Sequence, residues 1–95
     1  MLARIVGESI RMVISGRVQG VGFRHFMWRR ATELGLSGDV RNLASGAVEV
    51  RARGEAAALD QLAALARQGP PAARVTEVRI DPEDADLASG FRVRD

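Results

Sequence analysis

Arg24, placed directly after the run Gly16-Arg17-Val18-Gln19-Gly20-Val21-Gly22-Phe23, and Asn42, placed just ahead of a turn, are the residues whose types and spacing point to chemistry. A glycine loop that runs into a helix leaves successive backbone N–H groups unpaired, and the helix dipole favours an anion at that end. Glycine lets the backbone approach an oxyanion without side-chain obstruction, and a guanidinium at the helix start can add two parallel charge-assisted hydrogen bonds. The pattern reads as a phosphate cradle. It is not a Walker A loop, because the chain contains no Lys, and Gly16, Gly20 and Gly22 do not follow the GxGxxG order of a dinucleotide site. On spacing alone a plainer reading stays open, in which the glycines only turn the chain, Arg24 is solvated and Asn42 satisfies local backbone groups.

Several other chemistries fall away on composition. The chain has no Cys and one His, His25, so thiolate or imidazole metal sites, disulfides and cysteine nucleophiles are not expected, and no EF-hand spacing occurs. No metal or organic cofactor is expected. Trp28 and Met27 read as packing residues, and His25 as a rim residue rather than a base. All 14 basic residues are Arg against 12 acidic ones, a formal charge of +2. The pI of about 10.9 therefore reflects the lack of Lys, Tyr and Cys, which leaves nothing to titrate between histidine and guanidinium. With so weak a long-range field, nucleic acid is not the expected partner. Residues 1–10 contain Arg4 and Glu8 and offer no apolar leader core, and 18 apolar residues never run together. A cytoplasmic monomer with no membrane partner is expected.

The elements that must position Arg24 and Asn42 follow from periodicity. Ninety-five residues with 46% hydrophobic and 27% charged side chains suit one domain with one core. Residues 10–15 are β-branched and apolar and stop at Gly16, predicting a strand. Phe23, Phe26, Met27, Ala31 and Leu34 recur at helical spacing, predicting a helix from near Arg24 to Gly35. Residues 36–43 read as a second strand. In residues 47–53, Val48, Val50 and Ala52 alternate with Glu49, Arg51 and Arg53. A three-residue hairpin at Ala44-Ser45-Gly46 then puts Asn42 on the buried face with Val40, Val48 and Val50. Ala58, Leu59, Leu62, Leu65 and Ala66 form the apolar stripe of a second helix over residues 55–68, stopped by Gly69-Pro70-Pro71. Residues 74–80 predict a fourth strand, residues 81–90 an acidic connector, and residues 91–94 a last alternating segment at a sheet edge. The order β-α-β-β-α-β predicts an α+β, ferredoxin-like sandwich: an antiparallel sheet with two helices on one face. Residues 1–9 read as an extension and 10–95 as the domain. Arg51, Arg53, Arg79, Arg92 and Arg94, interspersed with Glu49, Glu77 and Asp39, read as the solvated outer face of the sheet.

With these residues in place the chain resembles the acylphosphatase family. Residues 14–24, Ile-Ser-Gly-Arg-Val-Gln-Gly-Val-Gly-Phe-Arg, are similar to that family's first signature. Residues 38–48, Gly-Asp-Val-Arg-Asn-Leu-Ala-Ser-Gly-Ala-Val, are similar to its second, and Gly54 stands at the expected distance. The resemblance implies hydrolysis of the carboxyl-phosphate anhydride in small acyl phosphates, without metal or organic cofactor. It also implies that the N–H groups of Gln19, Gly20, Val21, Gly22 and Phe23 surround the phosphoryl oxygens, that Arg24 binds them, and that Asn42 orients the attacking water. Such a sparse set is chemically sufficient, because carboxylate is a good leaving group and phosphoryl transfer responds mainly to positioning and electrostatics. One departure is Asp39, where the family usually has an aromatic residue. Alternation turns Asp39 away from Asn42 towards the exposed face, within reach of Arg51 or Arg53.

Two other functions fit this topology. One is a non-catalytic phosphate-binding or docking module of the same family, of the kind built into larger maturation proteins; the chain's end soon after the domain favours a free-standing hydrolase instead. The other is an RNA-binding domain, which would display stacking aromatics on its central strands where this chain has Glu49, Arg51 and Arg53.

Overall fold

A computed structural model describes residues 7–95. Alternation of apolar side chains builds a five-stranded sheet from β1 (Glu8–Arg17), β2 (Ser37–Asn42), β3 (Val48–Gly54), β4 (Arg74–Pro82) and β5 (Phe91–Val93), in the order β4-β1-β3-β2-β5. Two helices, α1 (Phe23–Glu33) and α2 (Ala56–Gln68), cover one face, α1 over β2 and β5 and α2 over β4 and β1. Met12, Ile14, Val40, Val48, Val50 and Ala52 face Phe23, Met27 and Ala31 of α1 and Leu59, Leu62, Ala63 and Ala66 of α2, all of them buried. The β1–β3, β1–β4 and β2–β3 pairings are antiparallel. This is the ferredoxin-like α+β arrangement, with the first four strands in the order expected for it.

The structure departs from the sequence expectations in several places. The sheet is mixed rather than antiparallel, because β5 adds to the edge of β2 in parallel. Helix α1 starts at Phe23, capped by Gly22, one residue before Arg24. On α2 Ala63 lies within the buried stripe and Leu65 on its border, since the arc that faces the sheet runs through Leu59, Leu62, Ala63 and Ala66. Of the extension read at residues 1–9, residues 1–6 lie outside the described residues. Glu8 and Ser9 belong to β1, opposite Gly54 and Arg53.

The largest difference is on the outer face. Asp39 is 4% and Glu49 3% exposed, so these two carboxylates are not solvated, whereas Glu77, Arg79 and Arg92 are exposed as expected. Arg51 grips Asp39 with two parallel bonds, Nε to Oδ1 at 3.0 Å and Nη2 to Oδ2 at 2.7 Å, and Arg94 Nη1 lies 3.7 Å from Oδ2. Glu49 accepts from Arg11 Nε at 2.6 Å and from Arg41 Nε at 2.8 Å. Arginine stems lie across the sheet and cover both carboxylates while their heads keep contact with water. Burial alone would push the Glu49 carboxyl up, but the bonds and charges of Arg41 and Arg11 outweigh it and hold the group below its ordinary value. Asp39 in turn raises the affinity of Arg51 for its proton.

Candidate active site

The loop from β1 to α1 and the end of β2 meet at a cavity of about 260 Å³ lined by Val18, Gly20, Gly22, Phe23, Arg24, His25, Asn42 and Val93. Gly20 and Gly22 have φ of 75° and 81°, and a Cβ built on either would meet nothing in the protein within 4 Å. Glycine is favoured there by the left-handed backbone, which L side chains rarely adopt, and not by any lack of room. Gly22 is the N-cap of α1 without a side-chain cap, and the first turn closes with Phe26 N–H on the Gly22 carbonyl at 3.0 Å. The N–H groups ahead of Phe26 therefore have no intrahelical acceptor at the end of the helix that forms the cavity wall.

Two anchors fix this loop. Val18 and Phe23 are each 1% exposed, their side chains held in the core, so the segment between them cannot swing freely. Gln19 Nε2 donates to the carbonyls of Leu43 and Ala47 at 2.8 and 2.9 Å, tying the loop to the hairpin just beyond Asn42. Gln19 and Val21 do not line the cavity. The Gln19 side chain is committed to the hairpin and Val21 packs partly on the core, so either could serve a ligand only through its backbone.

Asn42 ends β2 opposite Val48, on the helix-facing side as the three-residue loop requires, with Gly46 at φ 98°. Its amide has no side-chain hydrogen bond among the described residues. Arg24 Nη1 donates to the Arg94 carbonyl at 2.9 Å, just beyond β5. No carboxylate pairs with Arg24 among the described residues, so its charge faces the cavity uncancelled. Sequence reasoning thus brought Gly20, Gly22, Phe23, Arg24 and Asn42 to one site. It missed Val93 and the Arg94 carbonyl. The alternation of Phe91 and Val93 hinted at a helix-facing edge, but no local pattern gave its partner.

An anion set against the start of α1 would meet unpaired N–H groups, a guanidinium held from behind and a neutral amide on the β2 side. That arrangement suits a phosphoryl group and an incoming water. The family model described as Acylphosphatase matches residues 10–93. An acylphosphatase of Alkalilimnicola ehrlichii is 49% identical over 88 residues, 93% of this chain and 99% of that protein. The solved structure of an acylphosphatase from Coxiella burnetii superposes with a TM-score of 0.88 at 39% identity, covering 94% of both chains. The structure of full-length HypF in its phosphate- and nucleotide-bound form matches 99% of this chain but only 13% of its own, with a TM-score of 0.87 and 25% identity. The match to the family model over nearly the whole domain and the high identity of full-length relatives establish that this chain belongs to the acylphosphatase family.

Proposed function

We propose that this chain hydrolyses small acyl phosphates to a carboxylate and inorganic phosphate, acting as a monomer in the cytoplasm. The backbone N–H groups from Gln19 to Phe23 and the guanidinium of Arg24 hold the phosphoryl oxygens, and Asn42 orients the water. The water oxygen forms the new bond to phosphorus as the bond to the acyl oxygen breaks. The departing carboxylate takes the electron pair, and the protons of the water pass to solvent and phosphate. Charge builds on the equatorial oxygens, where Arg24 and the helix start stabilise it. The observation that carries this reading is an uncancelled Arg24 across one small cavity from an amide without a protein partner. Monomeric behaviour is favoured by the scarcity of large apolar side chains on the surface: among the described residues only Ile80 and Val93 are exposed, and Val93 belongs to the cavity.

Benzoyl phosphate hydrolysis with EDTA present tests the assignment. Arg24→Ala should lower kcat/KM by ~10²-fold or more and weaken inhibition by inorganic phosphate. Asn42→Ala should lower kcat with little change in KM. If Asn42→Ala raised KM alone, the water-orienting role would be wrong. The likeness to a small part of HypF favours a second reading, a phosphate-binding module that serves a partner. A folded wild type that binds phosphate without turning over benzoyl phosphate would establish that reading instead.

A further inference from the structure

Gly22 and His25 line two cavities at once. Beyond them, on the far side from Asn42, lies a second cavity of about 300 Å³ walled by Phe26, Pro70, Pro71, Arg29 and Arg30. Gly22, His25, Phe26 and Arg29 follow the spacing of one helix face, so this cavity runs along α1 from the cradle. Pro70 and Pro71 close it from the connection between α2 and β4. The sheet order makes its position informative: Asn42 stands on β2, towards one end of the sheet, whereas this connection belongs to the β4 end. A water held at Asn42 and a leaving group lying towards Pro70 would approach and leave phosphorus from opposite sides, as in-line displacement requires.

The chemistry of the walls is uneven. Phe26, Pro70 and Pro71 give apolar surface. Arg30 is already engaged, with Nη1 on Glu33 at 3.0 Å and its guanidinium 5.4 Å from the Phe26 ring centre. Arg29 makes no ion pair among the described residues, and no carboxylate lines the cavity. Seven residues separate Gly22 from Arg29, ~10 Å along the helix. Helical side chains lean towards the N-terminus, which brings the Arg29 head nearer the cradle than that.

We propose that this second cavity is the acyl subsite, and that Arg29 selects flat acyl groups carrying an anionic group at their far end. The proposal rests on the hydrolase reading above. Its test compares 4-carboxybenzoyl phosphate with the neutral isostere 4-carbamoylbenzoyl phosphate, a pair alike in shape in which the carbamoyl group withdraws electrons more strongly, so that leaving-group chemistry alone would favour the neutral substrate. The wild type should favour the carboxylated substrate by about three- to fivefold in kcat/KM, through KM, as a partly solvated ion pair allows, and added salt should erase the preference. Arg29→Gln, at an exposed position, should abolish the preference while leaving the carbamoyl substrate unchanged. Equal KM for the two substrates in the wild type, or an equal loss on both in Arg29→Gln, would overturn the subsite and leave the hydrolase reading standing. Turnover of neither substrate by the folded wild type would overturn both.

Discussion

Replacing Asp39 with Asn should destabilise the fold by about 2 kcal/mol, and the surroundings of the carboxylate give that magnitude. Its side chain is 6% exposed, and Arg51, bonded to it twice, is 25% exposed. Removing one partner from a fully buried pair costs about 3–5 kcal/mol, because the other charge is left without compensation. Here the Arg51 head retains some water and can turn towards it, which brings the cost down to about half. The Arg94 contact, at 3.7 Å on a 39% exposed side chain, adds little. Asparagine keeps the shape and one acceptor, so the loss reports the charge rather than a cavity. For a domain of this size the midpoint should fall by roughly 8–16 °C. Urea unfolding of the wild type, Asp39→Asn, Arg51→Gln and the double variant would measure the coupling directly. Replacing the pair by apolar side chains, Asp39→Phe with Arg51→Leu, should be near neutral, since a buried ion pair contributes little over well-packed hydrophobic residues. A loss under about 0.5 kcal/mol in Asp39→Asn, or additive single variants, would refute this account of the outer face.

Three further outcomes are expected. Glu49→Gln should weaken the fold at neutral pH, and its stability should vary less with pH than that of the wild type in acid. The sign follows from the lowered Glu49 value: its contribution is complete above the unfolded glutamate range, near ~4.3, and is lost as pH falls through the folded value, so urea curves of the two proteins should converge in acid. Deleting residues 92–95 removes the Arg94 carbonyl behind Arg24 together with Val93 of the cavity wall and most of β5, and should weaken inhibition by inorganic phosphate by at least about tenfold, the order of one hydrogen bond from a charged donor. Gln19→Met should cost about 1 kcal/mol by removing one of two hydrogen bonds from each of the Leu43 and Ala47 carbonyls, which keep the N–H groups of Gly46 and Leu43, and should lower kcat several-fold through the displaced Asn42. Lost stability with unchanged kcat would show that Gln19 supports the fold without positioning the amide.

What the sequence revealed and what it hid divide along physical lines. Period-2 alternation in β3, with the parity of a three-residue loop, is enough to place Asn42 beside Val40, Val48 and Val50, and the register Asn42↔Val48 and Val40↔Val50 agrees. Glycine runs and helical spacing likewise locate the cradle, because both are local signals. The same parity turned Asp39 outward correctly but could not say that it would be covered. Part of that cover, Arg51 on β3, lies within the reach the hairpin gives, but the rest comes from Arg94 beyond β5, a strand brought there only by folding. Gln19 reaches carbonyls 24 and 28 residues away and Arg24 one 70 residues away. The parallel pairing of β5 rests on three residues whose pattern names no partner.

At three positions on the outer face the use of arginine has a structural reason. In the contacts of Arg11 and Arg41 with Glu49, and of Arg51 with Asp39, the donor is Nε, part-way along the side chain. An arginine lying flat across the strands can therefore bond sideways to a carboxylate beneath it and still extend its head to water. Lysine carries its only donors at the tip and has nothing to offer at that point along the stem. Substituting Lys at Arg11, Arg41 or Arg51 would keep the charge and lose the bond. Because Asp39 and Glu49 absorb the arginines around them, the weak net charge is compatible with a strong local field at the cavity. There Arg24 is held by a carbonyl rather than a carboxylate, and its positive charge stays available to an anion.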